Sequence, residues 1–216
     1  MYIHSKKLAI LYKTLVALVG IVGIILQMGV ADGRFNLNVF QYFTIQSSVV
    51  VAIYMIFSVV SLIKSKQSQT FTKYPVFMGV SLMGISLTMV VAFFLLSHAF
   101  SNVSASGKLS MTLLHEVLPI LTIGNYILFE EKGKWKKKDP FLFCIFPLVY
   151  VTYALIAAQI GNGIGSLTGS KYPYPFLDMD ALGVVPVLIT CVIISLIYLL
   201  VGLVLYYIDL KLKKNS

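Results

Sequence analysis

The sequence predicts an all-α polytopic membrane protein, a bundle of six transmembrane helices with both termini in the cytoplasm. Composition, six long apolar runs and the placement of the lysines carry that prediction. Of 216 residues 58% are hydrophobic and 12% charged, and the mean hydropathy is +0.90. A water-soluble domain does not show that balance. A spanning helix uses roughly 20 mainly apolar residues, so a chain of this length holds about six and leaves no soluble domain. Residues 1–216 are therefore read as a single domain.

The first predicted span, Leu8–Val30, follows a basic start and precedes Gly29-Val30-Ala31, a faint signal-peptidase pattern. Its apolar stretch exceeds the usual ~7–15 residues of a signal peptide, so it is kept as a helix. Lys13 interrupts it and is expected to snorkel to the surface. The second and third spans are Phe40–Ile63 and Val76–His98. The fourth, Leu109–Phe129, contains His115 and Glu116, a pair too deep to snorkel freely. Phe141–Ile160 and Val184–Ile208 complete the set. The longest loop, Gly161–Gly183, carries Tyr172-Pro-Tyr-Pro-Phe-Leu-Asp178. Gly161, Gly163 and Gly165 follow no strand, which speaks for a flexible loop and against a phosphate cradle.

Basic residues set the expected orientation. Lys6, Lys7, Lys13, Lys64, Lys66, Lys73, Lys132, Lys134, Lys136, Lys137, Lys138, Lys211, Lys213 and Lys214 fall on one side, against Arg34, Lys108 and Lys171 on the other. The lysine-rich side is expected to face the cytoplasm, in the cell membrane. Orientation accounts for the net charge of +9, so nucleic acid is not an expected partner and membrane lipids are. The loop Lys132–Lys138 sets topology or meets anionic lipid. Cys144 and Cys191 lie on different spans at different depths and read as small apolar packing residues rather than a disulfide.

With helix directions assigned, the polar residues of the spans gather toward the outer ends. They are Gln27, Gln41, Thr44, Gln46, Ser47, Ser48, Ser97, His98, Thr112, His115, Glu116 and Gln159, while the inner half offers mostly Ser58, Ser61, Asn125 and Tyr126. Polar groups in hydrocarbon are costly unless paired, so the cluster suggests a polar cavity opening outward. Gln41, Thr44 and Ser48 make a stripe at helical spacing, with Ser47 beside it, whereas Gln46 points away and is assigned to helix packing. Thr112, His115, Pro119 and Thr122 share a face, and Pro119 deprives the His115 carbonyl of its donor, which predicts a kink. By helical rise Thr44 lies roughly 6 Å and His115 roughly 9 Å below the outer surface.

A threonine hydroxyl becomes a nucleophile when a base takes its proton, and neutral imidazole is the usual base near pH 7. Thr44 with His115 is a candidate pair for attack on an ester. The plainer alternative is that Thr44 bonds to the carbonyl four residues back and His115 bonds across helices. Glu116 points about 100° from His115 and is assigned to orienting another residue or lining the cavity. The pair His115-Glu116 does not begin a zinc-protease motif, because the position that needs histidine is Pro119. No ligand spacing among His98, His115, Glu116, Asp178 and Asp180 supports a metal.

Three short stretches, Phe40-Gln-Tyr-Phe-Thr44-Ile-Gln46, Leu114-His115-Glu-Val-Leu-Pro119 and Tyr174-Pro-Phe-Leu-Asp178, together resemble the androgen-induced and androgen-dependent TFPI-regulating family of membrane hydrolases and its bacterial relatives. The resemblance implies a six-helix enzyme, without cofactor or metal, that cleaves fatty acid esters of hydroxy fatty acids. It assigns the nucleophile to Thr44 and the base to His115. The chain departs from the animal pattern at Ile45-Gln46-Ser47-Ser48 and at Glu116. The expectation is a lipid-ester hydrolase, with Gln41, Ser47, Ser48, Thr112, Glu116, Tyr172 and Tyr174 as candidate substrate-binding residues. Gln41, Ser47 and Ser48 are the expected oxyanion donors, and anchoring at the interface is the first expectation for the two tyrosines. A small transporter or lipid-binding protein and a non-catalytic membrane subunit are the alternatives.

Overall fold

The computed structural model describes residues 3–67, 69–71, 74–95, 104–161 and 169–213. Lys73, Ser97, His98, Gly163, Gly165 and Lys214, which enter the sequence argument, lie outside them. The chain forms six long helices: α1 (Lys6–Gln27), α2 (Phe43–Lys64), α3 (Pro75–Leu95), α4 (Ala105–Phe129), α5 (Asp139–Gln159) and α6 (Val184–Lys213). All six are long and apolar enough to cross a membrane, which makes this a multi-pass helical membrane protein. Among the described residues there is no strand.

Local chemistry sets the helix ends. Ser5 caps α1 through Leu8 N–H, and Ser104 caps α4 through Gly107 N–H. Side-chain oxygens there satisfy amides that have no helical partner. The second span starts later than Phe40 because Leu37–Gln41 winds as a tighter 3₁₀ turn, opened by the Asn36 side chain. That turn removes Gln41 from the helical stripe drawn through Thr44 and Ser48. Gln46, read as a packing residue, instead donates to the Phe40 carbonyl at 3.1 Å and ties the turn to α2.

Helix α1 packs on α2 and α4, α3 packs on α2, α4 and α5, and α6 leans on α5. Close approach relies on glycine. A Cβ at Gly23 would sit 2.5 Å from Leu114, and one at Gly79 would sit 2.2 Å from the buried ring of Phe143. Small residues at such crossings let helix backbones meet, and dispersion between them replaces the hydrophobic drive that lipid cannot supply. Gly79→Ala is therefore expected to cost about 1–3 kcal/mol through overpacking, read as a lowered thermal midpoint in detergent. An unchanged midpoint would show that Phe143 repacks freely. Elsewhere the helices show apolar side chains to lipid, as Ile189, Ile193, Leu196 and Leu200 do on α6.

The lysine-rich end corrects two expectations. Lys13 does not snorkel: it is 0% exposed and ion-paired with Glu130, just beyond α4. Its position follows from the small and apolar residues of its own helix face, Ala9, Val16, Ala17, Gly20 and Ile24, which turn it into the bundle. The same Glu130 oxygen accepts from Tyr54 Oη at 3.0 Å and Asn125 Nδ2 at 3.2 Å. Nearby, Tyr126 donates to Asp209 at 2.6 Å and stacks on Trp135, whose indole N–H reaches the Pro75 carbonyl at 2.8 Å. Lys132 donates to the Tyr126 and Glu130 carbonyls and lies over the Tyr126 ring. Beyond the few polar residues expected in it, this half of the bundle holds a buried ionic network that joins five of the six helices.

Candidate functional site

At the opposite end, Thr44 occupies the first turn of α2 and faces α4. Its Oγ1 lies 3.2 Å from His115 Nε2. The alternative bond to the Phe40 carbonyl is not made; Gln46 takes that acceptor. His115 Nδ1 lies 3.1 Å from the Met111 carbonyl, which can only accept. The proton is accordingly assigned to Nδ1, and the Nε2 lone pair faces the threonine hydroxyl. Hydroxyl, imidazole and backbone acceptor thus form one line.

The helix around His115 is not simply kinked. Leu113–Val117 forms a π turn, and Leu118 N–H bonds the Leu113 carbonyl. Such turns insert one residue into the helical phase and occur next to positions where proline removes an N–H, here Pro119. The inserted residue breaks the shared face expected of Thr112 and His115. Thr112 and Glu116 are exposed, on the outer side of the helix, while Pro119 and Thr122 are buried. Neither Thr112 nor Glu116 lines the cavity beside Thr44, contrary to their assignment as substrate-binding residues.

Ser47 and Ser48 are also displaced from their expected role. Both hydroxyls turn back to the Thr44 carbonyl, at 3.1 and 2.6 Å, and Ser47 also meets Thr88 Oγ1 at 2.8 Å. They secure the first turn of α2 and do not face the cavity. Gln41 lies before the helix, its Oε1 buried and without a partner among the described residues, away from the cavity wall. Tyr172 is 0% exposed, so it is no interfacial anchor; its hydroxyl accepts from Gln159 Nε2 at 2.8 Å and pins the loop to the end of α5. Asp178 caps the short turn Met179–Leu182 through the N–H groups of Asp180 and Ala181, and Asp180 pairs with Lys171 at 2.9 Å. Both carboxylates are thereby engaged in the loop.

Tyr174 is different. The 3₁₀ turn Pro175–Leu177 folds it down over the bundle, where it is 7% exposed. Its ring lies 6.1 Å from that of Tyr42 and 6.4 Å from that of Tyr150, and its phenol stands beside Phe43 and Thr44 in the first turn of α2. Burial raises its pKa above the ordinary phenol value, which keeps the O–H protonated at neutral pH. The Phe43 and Thr44 amides belong to the first turn of α2, where helices leave N–H groups without intrahelical partners. They lie beside the Tyr174 phenol, at the head of the helix.

Beside Thr44 opens a cavity of about 90 Å³ between α3, α5 and α6, walled mainly by apolar groups such as Leu87, Val91, Pro147, Val151 and Ile194. Phe43 and Tyr150, with ring centroids 5.1 Å apart, close its head around the threonine. Cys144 and Cys191 are free thiols in its wall. His115 is not part of the wall; it stands behind Thr44.

No protein-family model, curated protein or solved structure matches this chain. The reading of the site rests on its own geometry. The cavity is mainly apolar, and Thr44 in its wall has the His115 imidazole behind it. No group of three His, Cys, Asp or Glu side chains suited to a metal ion occurs among the described residues.

Sequence reasoning placed Tyr174 beside Tyr172 without separating their roles, and it missed Tyr150, Tyr198 and Thr88 altogether. A mid-helix tyrosine in an apolar run, as Tyr150 is in α5, was the available signal, since its hydroxyl needs a partner away from water.

Proposed function

We propose that this protein is an intramembrane lipid-ester hydrolase that uses Thr44 as nucleophile and His115 as general base. The observation that carries the proposal is the line Thr44 Oγ1, His115 Nε2, His115 Nδ1, Met111 carbonyl, standing at the head of an apolar cavity. The resemblance of the three short stretches to the androgen-induced membrane hydrolases supports the same reading, with long-chain esters as substrate class.

In the first step Thr44 Oγ attacks the ester carbonyl and its proton passes to His115 Nε2. The oxyanion accepts from the Tyr174 O–H, which stands beside the first turn of α2. Collapse breaks the bond to the leaving oxygen, and His115 returns its proton to release the alcohol. Water then attacks acyl-Thr44, His115 takes the water proton, and Thr44 leaves with that proton as the free acid departs. Because Tyr174 acts only on developing charge, Tyr174→Phe is expected to lower kcat by about 10- to 100-fold with little change in KM. An equal loss through KM alone would assign Tyr174 to binding instead.

The lysines of both termini and of the loop Lys132–Lys138 support an orientation with that end in the cytoplasm of a cell membrane, so Thr44 works near the outer leaflet. An acyl-directed covalent probe tests the nucleophile. Labelling should develop gradually in the inserted protein and vanish in both Thr44→Ala and His115→Ala. Undiminished labelling of Thr44→Ala would refute the assignment.

A further inference from the structure

Helix α6 rests on α5, and the bundle is open between α6 and α3. A second apolar cleft of about 240 Å³ occupies that gap, lined by residues that include Met83, Val90, Phe94, Ile197 and Val201. It shares Leu87, Val91, Ile194 and Tyr198 with the cavity at Thr44. Together they form one recess from the reactive hydroxyl to the lipid-facing surface, where Phe94 and Ile197 stand exposed.

Two buried hydroxyls line this recess without a hydrogen-bond partner among the described residues, Tyr150 beside Phe43 and Tyr198 on α6. Tyr198 is 5% exposed and borders both parts of the recess. Its polar neighbours are already engaged: Ser195 donates to the Cys191 carbonyl at 2.7 Å, and Cys144 to the Pro140 carbonyl at 3.4 Å. A buried hydroxyl without a partner is destabilising. Phenylalanine would line an aliphatic slot without that cost, so the hydroxyl calls for an acceptor on the occupant. Its distance from the head of the cavity follows from α5. Tyr150 lies against Phe43 at the level of Thr44, whereas Cys144, which lines the cavity together with Tyr198, stands six residues away on the same helix, or about 9 Å along its axis.

We propose that a fatty acyl chain enters this recess sideways from the bilayer between α3 and α6, and that Tyr198 hydrogen-bonds an oxygen substituent on it. That oxygen lies about 9 Å along the chain from the group at Thr44. The occupant is thus an oxygen-bearing acyl lipid. The identity of the head group at Thr44 rests on the hydrolase reading; the chain site does not.

The test uses the full chain carrying Thr44→Ala in nanodiscs, so that binding is read without turnover. Long-chain fatty acyl methyl esters with a hydroxyl at successive positions compete against a photoactivatable, diazirine-bearing acyl probe. One mid-chain position should compete about 3- to 10-fold better than the unsubstituted ester. That preference should fall to near parity when Tyr198→Phe is added, and probe cross-links should map to α3 and α6. A flat series in the Thr44→Ala protein, or a preference that survives Tyr198→Phe, overturns the role of Tyr198. Cross-links confined to other helices overturn the chain site. The position series needs no Tyr198 variant, so a folding defect in that variant leaves it decisive. Failure of the hydrolase reading shows separately, as absence of turnover in the protein with Thr44 intact.

Discussion

Thr44→Ala is expected to reduce hydrolysis of a long-chain ester by at least about 10³-fold in reconstituted bilayers, and His115→Ala by a similar factor. The two residues act as one unit, because the hydroxyl is inert until the imidazole accepts its proton. The double variant should therefore be no worse than either single one. Thr44→Ser keeps the oxygen and the 3.2 Å approach to Nε2, so it should retain measurable turnover. Initial rates of acid release, normalised to inserted protein, provide the measurement. Multiplying losses in the double variant would mean that the two side chains contribute independently, and the shared mechanism would fall.

Breaking the ionic network at the lysine-rich end should have the largest effect on stability. Glu130→Leu leaves the fully buried Lys13 ammonium without its counter-charge, at an expected cost of about 3–5 kcal/mol. Lys13→Met should cost less, since Glu130 still accepts from Tyr54 and Asn125 and can take up a proton. Combining Lys13→Met with Glu130→Leu removes both charges and should restore a large part of the loss. Reversible unfolding in mixed micelles gives the three values. Simple additivity in the double variant would show that the pair is not energetically coupled.

This network also shows where a reading of the sequence stops. Lys13 was assigned to the surface because a lysine near a helix end can snorkel. The faces of α1 carried a contrary signal, since Lys13 shares its side with Ala9, Val16 and Gly20. Its partner Glu130 stands more than a hundred residues away and just past a helix, where no periodicity marks it. In the same way Ser47 and Ser48 have the composition of oxyanion donors, yet a hydroxyl in a helix finds its nearest acceptor in the carbonyl three or four residues back. Thr112 and Glu116 were placed by counting 3.6 residues per turn, and the π turn at Leu113–Val117 altered that count.

What the sequence determined by itself is the number of long helices and the level of each polar residue along them. Apolar length dictates spans, because a backbone in lipid must satisfy its hydrogen bonds within its own helix. Depth then follows from a rise of about 1.5 Å per residue, which put Thr44 and His115 near one level. Only the tertiary structure decided which way each side chain turns about its helix axis and which loop folds back over the bundle. Those depend on contacts between residues far apart in the chain: the π turn that aims His115 at Thr44, the turn that lowers Tyr174 onto α2, and the lean of α6 that opens a recess beside them.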